Sequence, residues 1–193
     1  MKPKLVLASQ SPRRRELLAI LGVPFSVVPA DIAETPLAGE SPEQFVRRAA
    51  REKAEAVAFR VSDSVVLSAD TVVSIDGEIL GKPADAAAAI GMLRKLSGRP
   101  HLVFTAVCVI NQAAGQTLEG LDQTTVWFRS LTEAQIRDYI RRENVMDKAG
   151  AYAIQGFAAV FIPKIEGNYF NVMGLPLPLV YELLSRCAPL AEF

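Results

Sequence analysis

Ser64-Val65-Val66-Leu67-Ser68-Ala69 is an almost unbroken apolar run that ends at Asp70-Thr71. A strand with one wet face would alternate, and this one does not. Its reading is a strand covered on both faces, the kind found inside α/β sheets. Val72–Ile75 and Glu78–Leu80 then flank Asp76-Gly77, a two-residue hairpin signal, because both residues tolerate the positive φ that such a turn needs. A strand buried on both sides requires helices on both sides, and the flanking sequence supplies them.

Upstream, Lys4–Ser9 reads as a short buried strand and Pro12–Leu21 as a helix stopped by Gly22. Phe25–Pro29 is a second short strand. Ser41-Pro42-Glu43-Gln44 is a capping box with proline at the first helical position. It opens a helix to about Phe59, with apolar positions at Phe45, Ala49, Ala56 and Phe59. Downstream, Asp85–Leu96 is an alanine-rich helix. His101–Ile110 and Thr117–Phe128 are two long strands, and Thr132 with Gln135 forms a second capping box opening a helix to about Arg142. Ala159–Ile165 reads as a strand broken by Pro163, and Pro176–Arg186 as the last helix. Mixed βα units and hairpins predict an α/β fold: one mixed, twisted sheet with helices on its faces. There is no linker, repeat or low-complexity segment, so 1–193 is expected to be one domain.

The 193 residues carry 21 Lys+Arg and 21 Asp+Glu, a formal net charge of zero. That argues against a nucleic-acid partner held by bulk electrostatics. No apolar run is long enough to cross a bilayer, and Leu5–Ala8 is too short for a signal peptide. Cys108 and Cys187 lack a C-x-x-C partner, and Cys108 lies in an apolar strand where a buried thiol is the plain reading. His101 is the single histidine and reads as structural. A cytoplasmic location with no membrane partner is the expectation.

Several segments carry chemistry. Ser9-Gln10-Ser11-Pro12-Arg13-Arg14-Arg15 places three cations in the first turn of a helix, where each costs roughly 0.3–1 kcal/mol against the dipole. A bound anion would reverse that sign, since free backbone N–H groups and guanidinium forks both hold phosphate. A solvated basic turn is the alternative. Asp70 at a strand end is a place for a catalytic carboxylate or simply a turn residue. Lys82, in Gly81-Lys82-Pro83, presents a point charge from a rigid turn. Lys53 sits inside a helix, where a solvated charge paired with nearby acids is the default reading. Glu34 is a loop carboxylate of the type that ligates Mg²⁺. Gln155 lies in a glycine-bracketed loop, and its amide both donates and accepts, as reading a base edge requires. Neither a G-x-x-x-x-G-K-[ST] nor a G-x-G-x-x-G segment is present.

In order along the chain stand Ser9-x-Ser11-Pro12-Arg13-Arg14, Glu52-Lys53-Ala54, Asp70-Thr71-Val72-Val73 and Gly81-Lys82-Pro83. Asp147-Lys148-Ala149-Gly150-Ala151-Tyr152, Gln155-Gly156 and Asn171-Val172-x-Gly174-Leu175-Pro176 follow. This series resembles the Maf family of nucleoside triphosphate pyrophosphatases almost end to end. The resemblance implies a fold similar to inosine triphosphate pyrophosphatases, with two lobes around a cleft. It also implies hydrolysis between the α and β phosphates, a divalent cation (Mg²⁺ or Mn²⁺) and a homodimer. It makes Asp70 the general base, and gives Ser9, Arg13, Arg14, Lys53 and Lys82 to the phosphates, with Glu34 and Asp70 toward the metal.

Within the family, Arg13, Thr71 and Gln155 are similar to the dTTP/UTP branch, so Thr71 joins the substrate-binding set. The 7-methyl-GTP branch carries other residues at these three positions and is the alternative reading. A nucleotide-binding regulator of septum formation is the other; an intact Asp70, Lys82 and Arg13 set favours catalysis. Ala33-Glu34 and Gly167-Asn168-Tyr169-Phe170-Asn171 depart from the family's usual Asp-Glu and Gly-Ser-Tyr-Ser-Asn.

Overall fold

A computed structural model describes residues 4–187. The strands are β1 (Lys4–Leu7), β2 (Phe25–Val27), β3 (Ser64–Ile75), β4 (Glu78–Leu80), β5 (Pro100–Asn111), β6 (Gln116–Trp127) and β7 (Lys164–Glu166). The helices are α1 (Pro12–Ala19), α2 (Pro42–Ala58), α3 (Ala86–Leu96), α4 (Glu133–Arg142), α5 (Tyr169–Met173) and α6 (Leu177–Cys187). The strands form one mixed sheet in the order β2-β1-β3-β5-β6-β7, with β4 also paired to β3. β1 is parallel to β2 and β3, and every other pairing is antiparallel.

The capping boxes form as read. Ser41 and Gln44 exchange side-chain bonds with each other's backbone at the start of α2, and Thr132 and Gln135 do so at α4. Asp76 and Gly77 both take positive φ, 53° and 81°, which closes the β3–β4 hairpin.

Two expectations change. β3 does not stop at Ala69. It runs on through Asp70-Thr71 to Ile75, so the carboxylate lies in mid-strand. The segment 159–165 is not one strand. Phe157–Phe161 is a 3₁₀ turn that buries Ala158 and Phe161, and only Lys164–Glu166 beyond Pro163 pairs with β6. Proline cannot donate a ladder bond, which explains the break.

Alternate residues of β3 face opposite ways. Val66 and Val72 pack with α2, around Phe45, Val46, Ala50 and Val57. On the other face Val65, Leu67 and Ala69 pack with Leu17 and Leu18 of α1 and Val180, Leu183 and Leu184 of α6. Farther along that same face, Val73 and Ile75 join a separate cluster with Leu93 of α3 and Ile136 and Tyr139 of α4. The two clusters meet at Thr71, and a cleft opens there. The edge of β3 repeats the division. β1 pairs with it only up to Leu67, and β4 only from Val73 onward. Among the described residues no strand covers the stretch between, and Asp70 stands midway along it. No helix among them is long and apolar enough to cross a membrane.

Candidate active site

A cavity of about 480 Å³ fills this gap. β1 ends just below it and delivers Ser9 and the start of α1. β4 ends just above it and delivers Lys82. The cavity is lined by every residue singled out from the sequence: Ser9, Arg13, Arg14, Glu34, Lys53, Asp70, Thr71, Lys82 and Gln155. Asp31 lines it as well, and so do Asp147, Lys148 and Tyr152, which belong to one of the segments that carry the family resemblance but receive no role from the sequence.

Lys53 is not the solvated helix charge that its surroundings in sequence suggest. It is 6% exposed and aims from α2 at the even face of β3. Its ammonium donates to Asp70 Oδ1 at 2.5 Å and lies 2.9 Å from Glu34 Oε1. One buried cation therefore holds two carboxylates. Burial pushes the Glu34 carboxyl up, but Lys53, helped by Lys82 and Arg14, outweighs it and holds the group below its ordinary value.

Arg14 is fixed from three sides. Its Nε donates to the Gly174 carbonyl at 2.8 Å, Nη2 to Thr71 Oγ1 at 3.0 Å and Nη1 to Ser9 Oγ at 3.4 Å. A guanidinium has five N–H groups, so one on Nη1 and one on Nη2 remain for a ligand. Burial pulls its pKa down against the raising influence of Asp70 and Glu34. Gly174 caps α5 at φ 107°, a conformation natural only to glycine. Arg13, one residue earlier, points across the cleft to Asp147 Oδ2 at 3.4 Å, and Asp147 also pairs with Lys148 at 2.8 Å. Ser11 caps α1 by accepting from the Arg14 N–H. The costly arginine turn is thus real, and each of its first two arginines has a distinct hold.

The opposite wall is quieter. Gly150 donates its N–H to the Gly81 carbonyl at 3.1 Å, tying the Lys82 turn to the loop that carries Tyr152 and Gln155. Tyr152 OH meets His101 Nε2 at 2.8 Å in the core, with both rings edge-on to Phe128. Burial holds the His101 pKa down to about 4, so the ring is neutral at neutral pH. His101 is structural, as its isolation in the sequence suggests.

The donor set suits a hard divalent cation. Glu34 and Asp70 offer carboxylate oxygens to one point, now spanned by the Lys53 ammonium. Among the described residues no group of three or more His, Cys, Asp or Glu side chains is gathered for a metal. Mg²⁺ is commonly held by one or two carboxylates plus substrate phosphates, so two are sufficient.

Direct comparison supports the family that the sequence resembles. Residues 4–187 match the family described as Maf-like protein. The chain belongs to the Maf family. Among its relatives, a protein of Geobacter sp. (strain M21) is 51% identical over 181 residues, 93% of each chain. One of Anaeromyxobacter dehalogenans (strain 2CP-1 / ATCC BAA-258) is 50% identical over 188 residues, 96% of this chain and 95% of its own. One of Syntrophomonas wolfei subsp. wolfei (strain DSM 2245B / Goettingen) is 49% identical over 182 residues, 93% and 95%. All three are named dTTP/UTP pyrophosphatase.

Proposed function

We propose that this Maf protein hydrolyses dTTP and UTP to the monophosphate and pyrophosphate, acting as a nucleoside triphosphate diphosphatase. The observation that carries the reading is the convergence of Arg13, Arg14, Lys53 and Lys82 with Glu34 and Asp70 on the lining of one cavity. The relatives' shared name supports the same substrates. A free nucleotide suits a chain of zero net charge better than a nucleic acid does. The reading keeps the cytoplasmic location and the homodimer that the sequence suggests.

Each residue then has a task. Ser9, Arg13, Arg14 and Lys82 bind the phosphate chain. Arg14 offers its two unengaged N–H groups as a fork, and Lys82 a point charge. Lys53 supplies charge next to the reacting centre. Asp70 keeps Oδ2 out of the Lys53 contact and takes the proton of the attacking water there. The hydroxide oxygen bonds to the α phosphorus, the bond to the bridging oxygen breaks, and pyrophosphate leaves among the cations. Mg²⁺ or Mn²⁺, held by Glu34 and Asp70, would neutralise part of the phosphate charge. Gln155, in the lining of the same cavity, pairs with the base. Thymine and uracil each show a donor beside acceptors, which one amide can match.

Pyrophosphate release across a nucleotide panel, with Mg²⁺ or Mn²⁺, tests this. Turnover of dTTP and UTP well above 7-methyl-GTP is expected. Asp70→Asn is expected to lose roughly 10²-fold or more in kcat, the scale of a general base. A preference for 7-methyl-GTP would overturn the substrate, and undiminished turnover in the variant would remove Asp70 from its role.

A further inference from the structure

Thr105 lies in the middle of β5, opposite Thr71, and is fully buried. Its Oγ1 is 3.0 Å from the Asn171 carbonyl and 2.9 Å from Thr71 Oγ1. A threonine hydroxyl has one proton. The Asn171 carbonyl can only accept, so the Thr105 proton goes there. Toward Thr71, then, Thr105 can only accept, and the Thr71 proton points at Thr105. That leaves Thr71 presenting lone pairs to Arg14 Nη2, 3.0 Å away. The direction of every bond in the row is fixed by its two ends.

The row closes on itself. The Asn171 carbonyl also accepts from the Gly174 N–H at 2.9 Å, and the Gly174 carbonyl accepts from Arg14 Nε at 2.8 Å. Arg14, Thr71, Thr105, Asn171 and Gly174 form a ring that leaves the guanidinium at Nη2 and returns at Nε, the two donors of one edge. Thr105, like Asn171, does not line the cavity, whereas Thr71, Arg14 and Gly174 do. It joins β5 of the sheet to the α5 turn that holds the arginine.

We propose that Thr105 is a positioning residue for phosphate binding: by setting the direction of the Thr71 hydroxyl and anchoring the α5 turn, it aims Arg14 at the triphosphate. This rests on the pyrophosphatase reading above. Without the Thr105 hydroxyl, Thr71 loses the acceptor for its proton and is free to turn it toward the arginine. A misaimed fork weakens binding of the anion while leaving the base, Asp70, in place.

The test compares Thr105→Val, which keeps the shape, with Thr105→Ser, which keeps the hydroxyl. For the valine variant, KM for dTTP and the inhibition constant of pyrophosphate are both expected to rise about tenfold, the loss of roughly one charge-assisted hydrogen bond. Its kcat changes less, and serine restores both constants. Placed on an Arg14→Lys background, Thr105→Val is expected to add almost nothing, because its target is gone. Val107→Ala, a buried change in the same strand that takes part in none of the ring's hydrogen bonds, is expected to lower stability without moving either constant. Should the valine variant fail to fold, Thr105→Cys replaces it, being similar in volume and a weak hydrogen bonder. Unchanged constants in the variant, or a full effect on the Arg14→Lys background, would overturn the proposal. A wild-type protein that releases no pyrophosphate from dTTP would instead overturn the substrate reading, so the two failures are distinct.

Discussion

Lys53 Nζ stands 2.5 Å from Asp70 Oδ1, with both side chains almost wholly removed from water. The pair joins α2 to the middle of β3 and links the charge of the site to the stability of the fold. Glu34, from the loop before α2, completes it from the cavity side.

Removing one member leaves the other buried and uncompensated. Lys53→Met is expected to destabilise the protein by about 3–5 kcal/mol, as broken buried pairs do. The double variant Lys53→Met/Asp70→Asn should cost less than the single one. Urea unfolding midpoints decide this, and a loss under about 1 kcal/mol for the single variant would contradict it.

His101 gives the protein an acid-sensitive step. Its folded pKa lies near 4 and its ordinary value is 6.5. The unfolded chain therefore binds the proton first, and stability falls as pH drops through this window, by up to about 1.4 kcal/mol per unit. It is unpenalised above pH 6.5, and the loss levels off below about 4. His101→Gln should flatten that part of the curve, which urea unfolding at several pH values from 7 to 4 would show. An identical slope in the variant would assign the effect to other groups.

Gly174→Ala tests the backbone that holds Arg14. At φ 107° a side chain is strained, and its Cβ would come within 3.3 Å of Thr71 Oγ1. The strain is worth about 1–2 kcal/mol. KM for dTTP is expected to rise with it, because the Gly174 carbonyl shifts away from Nε. Loss of stability with an unaltered KM would show that the arginine does not depend on this carbonyl.

Gln155→Glu removes a donor from the cavity lining and adds a charge. Turnover of dTTP is expected to fall roughly tenfold or more, while inhibition by pyrophosphate changes little. The reverse pattern, an effect confined to pyrophosphate, would place Gln155 among the phosphate ligands instead.

What the sequence reveals follows distance along the chain. The capping boxes at Ser41 and Thr132 and the Asp76-Gly77 turn are local devices, complete within four residues, and all are realised. The clustering of Arg13 and Arg14 in the first turn of α1 is legible because it is local too. Lys53 is misread from its neighbours because its partners, Asp70 and Glu34, are 17 and 19 residues away and meet it only through the fold. Asp70-Thr71 reads as a strand end because polar residues interrupt an apolar run. The strand continues because each has a partner on its own face: Lys53 from α2 for one, Arg14 and Thr105 for the other. Nothing in β5 distinguishes Thr105 from any other threonine in a strand until Asn171, 66 residues on, is brought beside it. The 159–165 segment fails as a strand for a local reason, Pro163, whose effect extends further than the sequence alone indicates.

The uncovered stretch of β3 between the end of β1 and the end of β4 sets the dimensions of the site by counting. A strand rises about 3.3 Å per residue, and each residue by which β4 ran on past Leu80 along β3 would carry its end that much closer to Asp70. A β4 continued past Leu80 would close the open edge beside the carboxylate with a sheet partner, and a β4 ending earlier would draw the Lys82 turn away from it. The space beside Asp70 in this architecture is therefore set by where β4 stops, at Leu80, just before the Gly81-Lys82-Pro83 turn.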